Sequence, residues 1–293
     1  MTSAPVTTSA ASGAITGIDH VLVGVNDLEA ARETWRALGF TISPRGRHLG
    51  WGTANYCIMF PGDYVELLGI VDPTQFTNNL DRFLEVREGL LGLALRSRNV
   101  DTVARALTAG GVELQGVKDL ARTLELPEGE VRPEFKLVHL PTAVTPGVTS
   151  FVCQHLTPEL VWQDPWLKHL NGARAIASVT AVVADPSTVA LPYGRLFGFD
   201  RVAVGEDWVQ VDSGRGTLIF TTQDGLGRRH PWLEAAPHYP APWLAALRLA
   251  ADDLASTAAF FDRAAIAVQR GADGALCIAP TQTCGVILEF AED

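Results

Sequence analysis

His20 and Glu66 are the two side chains whose types and settings most invite chemistry. His20 stands in the apolar run Ile18-Asp19-His20-Val21-Leu22-Val23-Gly24-Val25, which reads as a strand. Side chains alternate across a strand, so Val21, Val23 and Val25 share one face, and His20, Leu22 and Gly24 share the other. The valine face suits packing on a helix, which turns His20 toward an open side. Glu66 stands in a second apolar strand, Tyr64-Val65-Glu66-Leu67-Leu68. A buried, unpaired carboxylate is costly. An edge position facing water, a buried cation or a metal would each remove that cost. An octahedral Mg, Mn, Fe, Co or Ni site accepts imidazole and carboxylate together. Tyr64 shares the face of Glu66.

Two other stretches offer further groups. In Phe151-Val152-Cys153-Gln154-His155, Gln154 and His155 must face opposite sides. Phe151 and Cys153 read as helix-facing core, which turns Gln154 inward; a bulge would reverse the choice in favour of His155. Residues 46–55 form a Gly-rich connection, either a structural hairpin loop or a place where backbone approaches a ligand closely. In the second case Arg47 is an anion anchor, Trp51 a cleft wall and Asn55 a polar contact. His48 is then a ligand or general base.

These residues need a scaffold, and the chain repeats one. The first strand is followed by Asp27, which can cap a helix with Leu28, Ala31, Trp35 and Leu38 on one face, stopped by Gly39. Strand-type runs follow at Phe40-Thr41-Ile42, 54–60 and 64–70. The same order starts again at residues 93, 179 and 244, with Asn99, Asp185 and Asp252 before the helices. Pro186 suits a first helical position, and Pro192 is expected to interrupt or displace that helix. The pattern predicts an α+β chain of four βαβββ units. Each strongly curved sheet carries its helix on one face, and two units pair to close a cleft. Residues 1–14 read as a flexible tail, 15–163 as an N-terminal domain with the active site, and 174–293 as a C-terminal domain with a degenerate one. In that second half, Ser178 and roughly Ala245 stand where His20 stands in the first. Only Glu289 echoes Glu66; it reads as solvated, as do Arg228, Arg229 and His230.

A tandem βαβββ unit with a first-strand His and a fourth-strand Glu resembles the vicinal-oxygen-chelate superfamily. Within it, the chain is similar to the glyoxalase-like group carrying a G-R-H-x-G-W-G-T-x-N stretch, here residues 46–55. Further matching stretches are Gln154-His155-Leu156-Thr157-Pro158-Glu159-Leu160-Val161-Trp162 and His169-Leu170-Asn171-Gly172-Ala173. The resemblance implies tandem domains with curved sheets enclosing a divalent metal (Fe, Mn, Ni, Co, Zn or Mg), with ligands on first and fourth strands. His20, Glu66 and Gln154 match such positions, with His155 or His48 as the alternative third ligand. The second unit's first strand offers neither His nor Glu.

Three functions follow. One is a metal-dependent lyase or isomerase: the metal polarises vicinal oxygens of a small substrate and stabilises an enediolate, with Glu66 or His48 moving the proton. Another is an extradiol-type dioxygenase, which needs two His and one carboxylate on Fe(II). The third is a metal-free binding or resistance protein, consistent with an incomplete ligand set. Composition bounds all three. The chain has 293 residues, 47% of them hydrophobic, and a net charge of -10, which argues against nucleic acid and anionic membranes as partners. Cys57, Cys153, Cys277 and Cys284 form no metal-type spacing and read as reduced core thiols of a cytoplasmic protein. No signal peptide or membrane segment is read. A homodimer through the C-terminal half is compatible with this reading. Walker, GxGxxG, GxSxG and HExxH motifs are absent.

Overall fold

In the computed structural model, residues 13–233 and 236–292 are described; residues 1–12, most of the expected tail, lie outside them. Four units follow one another. The first comprises β1 (Ile15–Gly24), α1 (Leu28–Ala37), β2 (Gly46–His48), β3 (Thr53–Met59) and β4 (Tyr64–Ile70), followed by α2 (Leu80–Leu84). The second comprises β5 (Gly89–Ser97), α3 (Val100–Ala109), β6 (Lys118–Leu126), β7 (Gly129–Val131), β8 (Glu134–Leu140) and β9 (Ser150–His155), then α4 (Pro158–Val161). The third runs through β10 (Ala173–Val182), α5 (Ser187–Phe197), β11 (Val202–Val204), β12 (Trp208–Asp212) and β13 (Thr217–Thr221), then α6 (Gln223–Arg229). The fourth is β14 (Trp243–Ala251), α7 (Leu254–Arg263), β15 (Gln269–Arg270), β16 (Leu276–Ile278) and β17 (Ile287–Ala291). The mixed α+β architecture with two curved sheets is the tandem arrangement the sequence pattern predicts.

The helices begin where short polar residues can satisfy orphan amides. Asp27 accepts from Ala30 N and Asn99 from Thr102 N, each at 2.9 Å. The last helix is capped by Asp253, one residue after the expected Asp252. Two local expectations fail. Phe40-Thr41-Ile42 forms no strand; the second strand of the unit is β2, and it carries Arg47 and His48 out of the expected loop. Helix α5 runs through Pro192 without a break. Its buried face of Val189, Tyr193, Leu196 and Phe197 outweighs the local cost of one missing amide donor.

The first sheet has the order β2-β3-β4-β1-β5-β9-β8-β6-β7, and β2 also pairs with β6, so it curls until it closes. The second sheet, β11-β12-β13-β10-β14-β17-β16-β15, stays open. Outward faces of both sheets and the helices merge into one apolar core containing Trp35, Phe40, Tyr193, Phe261 and Phe290. All four cysteines are free, and Cys57, Cys153 and Cys277 are buried. Among the described residues, no helix is long and apolar enough to cross a membrane.

Candidate functional site

Closure of the first sheet makes its inner face a cleft. Alternation along β1 sends His20 and Leu22 into it, as the sequence predicts. The parallel pairing of β1 with β4 sets Tyr64 beside His20 and Glu66 beside Leu22. The Tyr64 ring stacks on the imidazole of His20, centroids 4.3 Å apart. Trp51, Thr53, Asn55 and His48 line the same cleft, whose cavity is about 80 Å3.

Glu66 is 5% exposed. Its Oε1 accepts from Asn55 Nδ2 at 2.6 Å. His20 Nε2 lies 3.5 Å from Oε2, and His48 Nε2 lies 3.7 Å from Oε1. Burial pushes this carboxyl up, but the charges of His20, His48 and Arg122 and the Asn55 bond outweigh it and hold the group below its usual range. His48 is lowered, first by burial and then by Arg122 and His20, against the pull of Glu66. A neutral ring at pH 7 follows, and its Nδ1 lies 2.9 Å from the Thr53 hydroxyl. Gly46 makes the packing of this corner feasible: a Cβ there would lie 2.1 Å from Asn55 Oδ1 and 3.2 Å from Arg122.

Asp19, which the sequence reading passed over, backs His20. Its Oδ1 accepts from His20 Nδ1 at 2.7 Å and from His155 Nε2 at 2.9 Å, while Oδ2 accepts from Arg96 Nε at 2.8 Å. Burial alone would raise this carboxyl; the charges and bonds of His155 and His20 outweigh it and hold it well below the usual range. An aspartate adjacent to a histidine inside an apolar strand was the available signal.

The third-ligand candidates separate. Phe151 and Cys153 line the cleft, so β9 has the opposite facing to the one expected. Gln154 points to the helix side, where its Oε1 accepts from Val100 N at 3.0 Å. An apolar cleft wall and an apolar helix seat look alike in sequence, which explains the error. His155 comes inward but bonds to Asp19, behind His20. Only His48 reaches Glu66 from the cleft side. Arg47 is exposed on β2, because alternation turns it away from the inward Gly46 and His48. The buried cation of the cleft is instead Arg122 on β6, the register partner of His48. Leu120, Arg122 and Leu124 share one face of β6, and a charge within an apolar period-two face was its sequence signal.

The donor set suits a divalent metal. Asp19 fixes the His20 tautomer and leaves Nε2 bare toward Glu66, the usual outer support of a metal-binding imidazole. His20 Nε2, His48 Nε2 and the Glu66 carboxylate could hold the ion. Among the described residues, the grouping that brings one donor atom from each residue within 4.8 Å is Asp19, His20 and His155, a closeness that His20, His48 and Glu66 do not share. The Asp19 carboxylate is already satisfied by Arg96 and both rings, so this grouping reads as an ion network that supports the other.

The second sheet shows what becomes of the same position without a cleft. Glu289 and His230, expected to be solvated, are buried. His230 Nε2 lies 3.1 Å from Glu289 Oε1, and Arg248 Nε donates to Oε2 at 3.1 Å. Leu226 of α6 and the half-buried Trp232, Leu233 and Tyr239 pack on Val182, Ala246 and Ile287. Only Arg228 and Arg229 remain exposed, Arg228 paired with Asp207.

No curated protein matches the chain in sequence. Among solved structures, a hypothetical protein from Staphylococcus aureus aligns over 94% of this chain and 99% of its own, with a TM-score of 0.68 and 13% identity. A mutant of 4-hydroxymandelate synthase from Streptomyces coelicolor aligns over 94% and 92%, with a TM-score of 0.55 and 12% identity. A xylose isomerase-like TIM barrel/4-hydroxyphenylpyruvate dioxygenase fusion protein aligns over 94% of this chain but 48% of its own, at a TM-score of 0.51 and 14% identity. These likenesses concern the fold. Residues 18–197 match the model of the Glyoxalase-like domain, and with its two curved sheets the chain belongs to that family, within the vicinal-oxygen-chelate superfamily.

Proposed function

We propose that the N-terminal cleft is the active site of a metal-dependent lyase or isomerase acting on a small molecule with vicinal oxygens. The observation that carries this reading is Glu66 flanked by the Nε2 atoms of His20 and His48 inside a closed sheet. A divalent cation bound there would supply Lewis-acid polarisation of the substrate oxygens and stabilise an enediolate. With His48 Nε2 turned to the ion and its Nδ1 on Thr53, Glu66 is the group that would move the proton. Glu66 stays ionised, and Asn55 fixes its carboxylate plane.

The test is metal binding. Wild-type protein should bind Mn(II) or Co(II) in a one-to-one ratio by calorimetry and melt at a higher temperature with the metal present. H20A and E66Q should lose both effects. Absence of binding in the wild type would refute the reading in favour of a metal-free binding protein. A second reading has one observation in its favour: two His and one carboxylate are the set that an Fe(II) ring-cleaving dioxygenase needs. Oxygen uptake with catechols under Fe(II) would select it over the first.

A further inference from the structure

We propose that Arg122 is the anchor for a carboxylate on the ligand of this cleft, so that the site takes a compact organic acid with an apolar body. The inference rests on reading the cleft as a substrate site and adds the chemical class of what enters it.

Arg122 is 3% exposed and lines the cavity. A guanidinium has five donors and belongs where carboxylates meet it in a fork. Here, among the described residues, its single hydrogen bond runs from Nη1 to Cys57 Sγ at 3.2 Å. A thiol sulfur is a weak acceptor, and burial pushes the Cys57 thiol up, so it stays neutral. The Nε atom is buried without any partner. No described carboxylate forms an ion pair with the group; Glu66 acts on it only at longer range. The remaining neighbour is the Phe135 ring, 5.8 Å from the guanidinium carbon.

The surroundings keep the guanidinium charged despite burial, yet its hydrogen-bonding capacity is largely unused, and the fold makes room for it. Gly46 withholds the Cβ that would press on the Arg122 side chain, and register pairing across β2 and β6 holds it opposite His48. Charge counting points the same way. With a dication on His20, His48 and Glu66, one carboxylate faces a dication and a guanidinium, and the cleft carries excess positive charge that an anionic ligand would offset. Beyond Arg122 the walls are Leu22, Leu91, Phe135, Leu137 and Phe151, which suit hydrocarbon. A carboxylate on the cavity side of the guanidinium, with an apolar tail along those walls, would take up donor capacity that Cys57 alone does not use.

The test compares acids with their neutral amides on the full chain. Benzoate and 3-methylbutanoate, against benzamide and 3-methylbutanamide, are titrated by calorimetry or ligand-observed NMR. Wild type should bind each acid at least about tenfold more tightly than its amide, the size of a charged hydrogen bond. In R122M that preference should vanish, while R122K, which keeps the charge and loses the fork, should fall between. If R122M does not fold, the wild-type and R122K preferences still decide. An equal affinity of wild type for acid and amide overturns the proposal, as does an R122M variant that keeps the preference. Mn(II) binding is read in parallel. Arg122-dependent acid binding without any metal site would sink the metal-dependent function and leave the anchor standing; a metal site without acid preference would do the reverse.

Discussion

Asp19 accepts a hydrogen bond from His20 Nδ1 and so decides which ring nitrogen faces the cleft. An ionised partner on the far nitrogen also makes the near one more basic, and such support is worth about tenfold to a hundredfold in metal affinity. D19N should weaken Mn(II) or Co(II) binding by that amount in calorimetry, with His20 and Glu66 untouched. Unchanged affinity would show that Asp19 serves only Arg96 and the fold. At this scale the sequence was legible where alternation alone decides, as for His20 on β1. It was illegible where apolar identity had to choose a face: Phe151 and Cys153 line a hydrophobic cleft, so their character carried no sign of direction. Arg47 and Arg122 show a second limit. Alternation decides for both, but Arg47 reads in sequence as part of a loop, where alternation gives no facing.

The connection between the two domains is an element built on a neutral histidine. Thr41 N donates to His169 Nδ1, and His169 Nε2 lies on the Met59 carbonyl, each at 3.0 Å. Asn171 Nδ2 donates to Leu38 O at 2.8 Å. Only an unprotonated ring can accept at Nδ1 while donating at Nε2. Burial, against the Met59 bond, lowers its pKa to about 4. An unfolded imidazole titrates near 6.5, so the unfolded chain binds the proton first as pH falls. The contribution of His169 is complete above about pH 6.5 and lost on the way down to about pH 4, a change on the order of 3 kcal/mol. His48, His139 and His155, also lowered by burial, act in the same direction. Denaturant melts at pH 7.5 and 4.5 should therefore show a smaller difference for H169Q than for wild type; an equal difference would remove His169 from the account. The His169-Leu170-Asn171 stretch had been legible as a family motif, but not as a joint, because its partners lie more than a hundred residues away. The principal helix of each unit was legible, since caps and periodic faces are local, although Pro192 was expected to break α5; the site of β2 was not, since β2 is held by the distant β6 as well as by β3.

Across the whole molecule, one fold is used twice, with one cleft open and the other filled by its own chain. Glu289 occupies the position of Glu66, yet His230 and Arg248 neutralise it, and Trp232 and Tyr239 take up the room a ligand would need. Removing one member of this network forfeits a buried hydrogen bond to a charged group, at a cost of about 1.5–3 kcal/mol, while Arg248 still holds Asp273. H230A and E289Q should thus lower the denaturant midpoint at pH 7 and leave metal binding in the N-terminal cleft unchanged. A loss of metal binding without loss of stability would contradict the division of labour. The repeat and its asymmetry were legible in the residues; the buried state of Glu289 was not, because the filling segment follows β13 and returns from outside the unit's strand pattern.

The closure of the first sheet has a consequence for encounters between molecules. A strand whose amides and carbonyls are already paired cannot recruit a strand from another chain. In the first sheet only the three-residue β7 stands at the end of the strand order, and it carries the exposed Glu130. In the second sheet the outermost strands are β15, made of exposed Gln269 and Arg270, and β11, Val202-Ala203-Val204. Val204 is 60% exposed, and Phe199 just before it is 63% exposed. Edge-to-edge growth, whether as orderly pairing or as aggregation on heating, is thereby channelled to β11, on the domain that carries no cleft.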